Sequence, residues 1–245
     1  VGLGRFCDAQ QGTKETWEGG AGPLMNRIKG SGKRGFLITF EGVEGSGKTT
    51  QMNMLHAHLL RLKVDVVATH EPGGTRIGEE IRRIILNPAY GEMHPLTEAV
   101  LYAADRAQHV QEVIRPALDA GRVVLCDRYI DSSLAYQGVA RGLGLEAVRN
   151  LNEWVTGDLY PDLTIMLEIP YEVGLQRLQK RRRTLDRMEG QPERFHAHVQ
   201  EAYRSLAKIF SARFLVLDGT EPPDRIHHRI MQEVLPLLGM QRTSE

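Results

Sequence analysis

One stretch, Gly42-Val43-Glu44-Gly45-Ser46-Gly47-Lys48-Thr49, limits what this chain can fold into more than any other. It matches G-x-x-x-x-G-K-[ST], a pattern that functions where a buried strand runs into a loop and the loop runs into a helix. Both flanks are present. The apolar run 36–40 comes before it, and Met52, Leu55, Leu59 and Leu62 recur at helical spacing after it. Glycines let successive backbone N–H groups turn inward, and the helix N-terminus adds partial positive charge, so the loop is suited to cradle phosphates. Gly42, Val43, Glu44, Gly45, Ser46, Gly47, Lys48, Thr49 and Thr50 are therefore candidate nucleotide-binding residues. Lys48 is expected to reach the β- and γ-phosphates of a triphosphate, and the Thr49 hydroxyl to ligate Mg²⁺.

The rest of the chain repeats the strand–helix alternation. Short runs rich in Val, Ile, Leu and Phe occupy 36–40, 64–68, 123–126, 163–169 and 214–217, without polar alternation, as strands covered on both faces do. Helical stripes lie between them: Ile77, Ile81, Ile84 and Ile85; Phe195, Val199, Ala202, Tyr203, Leu206 and Phe210; and Ile226, Ile230, Val234 and Leu238 after Pro222 and Pro223. All are expected to face the core. The pattern predicts an α/β fold of the P-loop NTPase class, a parallel sheet with helices on both faces, over residues 35–240. Residues 1–34, punctuated by glycines and without period, are expected to form a mobile tail, with translation starting at Met25.

Lys+Arg equals Asp+Glu at 31 each, so no global basic field argues for a nucleic-acid partner. Cys7 and Cys126 are the only cysteines, which suits a reducing compartment and excludes a multi-cysteine zinc site. No run approaches 18 apolar residues and no signal peptide is visible, so the cytoplasm is the expected location.

Three clusters bear on what receives the phosphoryl group. His70-Glu71-Pro72-Gly73-Gly74-Thr75-Arg76 follows the second strand and should face the phosphate loop, with Arg82 and Arg83 beyond it either binding anion or forming a solvated face. Tyr102 and Arg106, four apart, share a helix face that could grip a flat base, or Tyr102 could simply be core. Asp127-Arg128-Tyr129 closes the third strand ahead of Ser132, Ser133, Tyr136, Gln137, Gly138 and Arg141. Asp127 suits the shell of Mg²⁺ and Arg128 a second phosphate, although the two could be a purely structural pair.

Phe40-Glu41-Gly42 through Thr50, Glu71-Pro72-Gly73-Gly74-Thr75, Asp127-Arg128-Tyr129 with Ala135-Tyr136-Gln137-Gly138, and Pro161-Asp162-Leu163-Thr164, in this order, resemble the bacterial thymidylate kinase family over about residues 36–238. The resemblance implies five parallel strands, a homodimer, and phosphorylation of dTMP to dTDP by the ATP γ-phosphoryl group with Mg²⁺, in dTTP synthesis for DNA replication. It implies that Glu44 approaches the sugar, Arg82 and Arg128 hold the acceptor's phosphate, and Tyr102 stacks on thymine. Arg106 would bond a ring carbonyl, Gln137 would contact the base edge beside Tyr136, and Asp127 would act through Mg²⁺.

The basic run Arg177, Lys180, Arg181, Arg182, Arg183, Arg187 and Arg194 lies in a helix–loop–helix insertion at about 177–194, which fits a closing lid. In the resembled family the catalytic arginine sits in the phosphate loop or in the lid. Val43, Glu44, Gly45 and Ser46 include no basic residue, so Arg183 and Arg187 are the candidates. A nucleotide switch is the rival class, but Asn-Lys-x-Asp and Asp-x-x-Gly do not occur.

Overall fold

The structure, a computed structural model, describes residues 34–180 and 184–240; the N-terminal extension with Met25, and the lid residue Arg183, lie outside the described residues. Five strands form one parallel sheet: β1 (Leu37–Glu41), β2 (Val66–His70), β3 (Val123–Asp127), β4 (Leu163–Glu168) and β5 (Phe214–Asp218), in the order β2-β3-β1-β4-β5. β1 is central, with β3 on one side and β4 on the other. The crevice beyond its C-terminal end is the switch point at which parallel sheets bind ligands. The phosphate loop follows β1, and the loops after β2 and β3 lie to one side of it.

The continuous apolar runs are explained by double cover. Ile38, Phe40, Leu125, Ile165 and Leu167 pack under α1 (Lys48–Arg61) and α9 (Pro223–Leu237). Leu37, Val124 and Cys126 point the other way, against Val110 and Ile114 of the π-helical segment Val110–Ile114, which joins α3 (Pro95–His109) to α4 (Arg115–Asp119), and Leu118 of α4. α8 (Glu193–Ile209) adds Val199, Tyr203 and Leu206 against Met166 of β4. The runs also hide a polar seam. Thr39 and Thr164 share a hydrogen bond at 3.0 Å, and Thr164 donates to Asp131, which takes a bidentate pair from Arg213 at 2.7 Å. Buried hydroxyls and a buried carboxylate are tolerable only with such partners.

Two local expectations need revision, and one segment was not foreseen. β2 starts at Val66 rather than 64, because Lys63 takes a left-handed φ of 61° and closes α1: Val64 N–H bonds Leu59 O and Lys63 N–H bonds Leu60 O, both at 3.0 Å. In α2 (Arg76–Leu86) the stripe divides, with Ile85 buried but Ile77 and Ile84 49% and 44% exposed, so it is not wholly a core face. Ile130–Ser133 (α5) continues into a π-helical segment, Leu134–Ala140, that carries Tyr136 and Gln137. A 3.6-residue period cannot announce that wider turn. α6 (Leu145–Thr156) and α7 (Tyr171–Lys180) complete the described α-helices.

Candidate active site

The phosphate loop curls around its own lysine. Lys48 Nζ donates to Gly42 O at 2.9 Å and Val43 O at 3.0 Å, while Gly45 and Gly47 take φ of 76° and 102°, open to glycine and strained for other residues. A Cβ on Gly45 would lie 2.7 Å from Gly174 O, and one on Gly174 2.7 Å from Glu44 O, so α7 rests on the loop through two glycines. Arg177 of α7 fastens that contact, donating to Gly45 O at 3.1 Å and Gly219 O at 3.0 Å. Burial, with Arg128 nearby, lowers the Lys48 ammonium to about 8. That burial marks a charge taken out of water, which Asp127, Glu44 and Glu41 only partly offset.

Thr49 Oγ1 donates to Asp127 Oδ2 at 2.6 Å. A hydroxyl and a carboxylate are the hard oxygen donors that Mg²⁺ prefers, and the glycine-lined loop beside them admits phosphate oxygens, so the donor set fits Mg²⁺–triphosphate.

One cleft of about 360 Å³ brings the predicted groups together: Glu44, Lys48, Thr49, Arg82, Tyr102, Arg106, Asp127, Arg128, Tyr136 and Gln137 all line it. Arg128 Nη2 donates to Glu44 Oε1 at 2.9 Å, and its guanidinium lies over the Tyr136 ring. Burial alone would raise Glu44, but Arg128, Lys48 and the Tyr136 hydroxyl outweigh it and hold the carboxyl below its usual range. Arg82 donates to Pro72 O at 2.7 Å, whereas exposed Arg83 pairs with Glu80, so the two helix arginines divide between cleft and solvent.

Arg106 is almost wholly buried. Its Nε donates to Glu71 at 2.7 Å, Nη1 to Ser133 and Asn152, and Nη2 to Tyr129 O at 3.1 Å, leaving one Nη2 N–H of five. Gln137 Nε2 donates to Glu98 Oε1 at 2.9 Å, which turns its own carbonyl oxygen away as an acceptor. Glu98 also binds Arg141 at 2.9 Å and Arg187 at 2.7 Å. Arg187, one of the two lid candidates, is thus committed to Glu98 and, at 2.6 Å, to Ile85 O; in this conformation it latches the lid to α2 and α3. Asp186, Met188 and Glu189 of the lid line the cleft.

Sequence reading missed the groups behind this surface. Glu41, Glu71, Glu98 and Tyr203 are buried, and the side-chain partners of their polar groups lie 35 to 162 residues away, beyond any local pattern. Glu71, His109 and Cys126 also lie close together. Both nitrogens of His109 are engaged, by Glu71 at 2.9 Å and Thr69 at 2.6 Å, and burial raises the Cys126 thiol well above its normal range. The trio reads as structural packing, not a metal centre.

A phosphate loop that faces Arg82, Arg106 and Arg128 across one cleft is the arrangement of a phosphate-loop nucleotide kinase. The thymidylate kinase family profile matches residues 40–230. The chain is 49% identical over 205 residues to a thymidylate kinase of Geobacillus thermodenitrificans, covering 83% of this chain and 91% of that one. It is 48% identical to that of Deinococcus radiodurans, covering 82% and 97%. The crystal structure of thymidylate kinase from Ehrlichia chaffeensis superposes with a TM-score of 0.66 at 29% identity, over 82% of this chain and 99% of that one. The chain therefore belongs to the thymidylate kinase family and is a kinase that converts dTMP to dTDP. Among the described residues no helix is long and apolar enough to cross a membrane.

Asp105 gives the site a measurable signature. Its Oδ1 accepts Gly73 N–H at 2.9 Å, while Oδ2 is buried without a partner. Burial and the nearby Glu71 carboxylate raise it from 3.8 to about 7. The folded protein then holds a proton that the unfolded chain releases near pH 4, so this contribution to stability is present in acid and is lost as pH rises through 7. Its slope is at most about 1.4 kcal/mol per pH unit. Asp105→Asn keeps the acceptor for Gly73 and removes the titration. In urea melts from pH 5 to 8, the variant's stability relative to wild type is expected to rise up to pH 7 and then level. A flat difference would contradict the assignment.

Proposed function

We propose that this enzyme transfers the γ-phosphoryl group of ATP to dTMP with Mg²⁺, and that the single cleft shared by the phosphate loop and Arg128 is where it does so. Gly42 to Thr50 hold the triphosphate, with backbone N–H groups and Lys48 on its oxygens. Thr49 and Asp127 hold Mg²⁺, which when bound neutralises charge on the phosphates. Arg128 and Arg82 hold the phosphate of dTMP; Glu44, now paired with Arg128, faces its sugar.

The base assignment has a hydrogen-bonding rationale. The remaining Nη2 N–H of Arg106 is a donor and the Gln137 carbonyl is an acceptor, matching a thymine carbonyl and the N3–H beside it. Cytosine offers no N3–H and has an amino group in place of one carbonyl, so a dCMP base would leave buried groups unpaired. Tyr102 supplies a face for stacking, and Tyr136 orients Glu44 through hydrogen bonds of 2.8 and 2.9 Å.

The lid closes over the acceptor to exclude water, which would otherwise compete for the phosphoryl group. With Arg187 latched, Arg183 is our candidate for lid charge on the γ-phosphate. We also propose a cytoplasmic homodimer. α2 and α3 pack together, and Ile77, Ile84, Leu96 and Val100 on them are 44–55% exposed, an apolar surface suited to a second copy. Ile84→Glu with Val100→Glu is expected to convert a sedimenting dimer to monomer; a monomeric wild type would refute the dimer.

Two substitutions test the site in a coupled ADP-release assay. Lys48→Ala should lower kcat about 10²-fold or more, because its charge acts on the transferring group. Arg128→Met should raise the KM for dTMP about 10- to 100-fold, the range of a lost charge-assisted contact. An unchanged KM for dTMP in Arg128→Met would refute the placement of the acceptor's phosphate.

A further inference from the structure

Arg128 occupies a left-handed backbone, φ 71°, which for a residue with a Cβ costs about 1–3 kcal/mol and persists only where the surroundings determine it. Its main-chain N–H bonds Phe40 O at 3.0 Å. Nη2 faces Glu44 and the Tyr136 hydroxyl. Nη1 faces away from that pair, toward Ser132 Oγ at 3.1 Å and Tyr203 Oη at 3.3 Å.

The protons on that second side can be counted. Ser132 donates its hydroxyl proton to Glu41 Oε2 at 2.6 Å, and Tyr203 donates its own to the same oxygen at 2.7 Å. Glu41 Oε1 accepts the backbone N–H groups of Tyr129 at 2.8 Å and Ser132 at 3.3 Å. The two hydroxyls also lie 2.9 Å apart, where either can donate to the other; because a guanidinium offers only donors, both oxygens turn lone pairs to Nη1, whose two N–H groups match them. Glu41 thereby converts two hydroxyls into a pair of acceptors aimed at one guanidinium nitrogen.

Tyr203 comes from far away in sequence, on the third turn of α8, in a stripe that reads as plain core. It is fully buried, and a phenylalanine would fill the same apolar space; the hydroxyl is affordable there only because it is bonded. α8 starts just after the lid, and His196 in its first turn lies 3.8 Å from Glu44, so one helix touches both sides of the Arg128 pair.

We propose that Tyr203 is a positioning residue: its hydroxyl, held by Glu41, orients the Arg128 guanidinium toward the phosphate of the acceptor. The inference rests on the reading that Arg128 holds that phosphate, and it adds a residue outside the cleft to the machinery.

Calorimetric titration of the full chain with dTMP and, separately, with thymidine tests it, because thymidine presents the same base and sugar without the phosphate. Tyr203→Phe is expected to weaken dTMP about three- to tenfold, the worth of one hydrogen bond, and to leave thymidine and the KM for ATP within about twofold. Equal weakening of dTMP and thymidine, or no change in either, would make Tyr203 a core residue and overturn the proposal. Should Tyr203→Phe not fold, Ser132→Ala removes the other acceptor of Nη1, and the same phosphate-selective loss is required of it. Arg128→Met is the control on the underlying reading. If it fails to weaken dTMP selectively over thymidine, that reading falls, whatever Tyr203 does.

Discussion

Arg128 projects into the cleft from a backbone conformation that disfavours side chains, and it stays there between two carboxylates. Glu41 lies behind it, acting through the hydroxyls of Ser132 and Tyr203, and Glu44 lies beside it at 2.9 Å. Burial and neighbouring Asp131 push Glu41 up to about 7, which shows how costly its charge is at this depth. A buried ion network of this kind adds little to stability against apolar packing, and its worth is in fixing geometry. Asp127, one residue earlier, meets Thr49 because β3 runs beside β1 in register, Phe40 opposite Asp127. On the proposed reading, the acceptor's grip and the metal's ligands therefore share one strand end.

The base side is organised by a second carboxylate. Glu98 orients Gln137 from one oxygen and binds Arg187 of the lid from the other, with Arg141 spanning both. On the proposed reading, the group that sets the polarity of the base reader also binds the lid. Arg187, a candidate for catalysis on its place in a basic run, binds Glu98 and Ile85 O in this conformation and keeps its Nη2 without a partner. α7, which leads into the segment read as the lid, meets the phosphate loop through Gly174 and Arg177.

Much of this was legible in the chain. The loop from Gly42 to Thr49 and the five apolar runs determine strand–loop–helix order, and the sheet then brings Asp127 to Thr49. Residues that line the cleft announced themselves because they interrupt apolar patterns, as Asp127 and Arg128 do at the end of β3. What stayed hidden has a common cause. Tyr203 sits in a helical stripe where an aromatic satisfies the period, and its hydroxyl's partners are 71, 75 and 162 residues away. The stripe of α2 misled for the same reason: periodicity reports an apolar face, not what covers it, and Ile77 and Ile84 are left in the open. Arg106 was read as a base contact, and four of its five N–H groups proved to be structural.

The central claim is that a phosphate-bearing thymine nucleotide is the acceptor in this cleft. Initial rates of ADP release with ATP and Mg²⁺, across dTMP, dCMP and thymidine, test it most directly. The account predicts release that depends on dTMP, falls by two orders of magnitude or more with dCMP, and is absent with thymidine. ADP release that is indifferent to the acceptor, or equal for thymidine and dTMP, would contradict it.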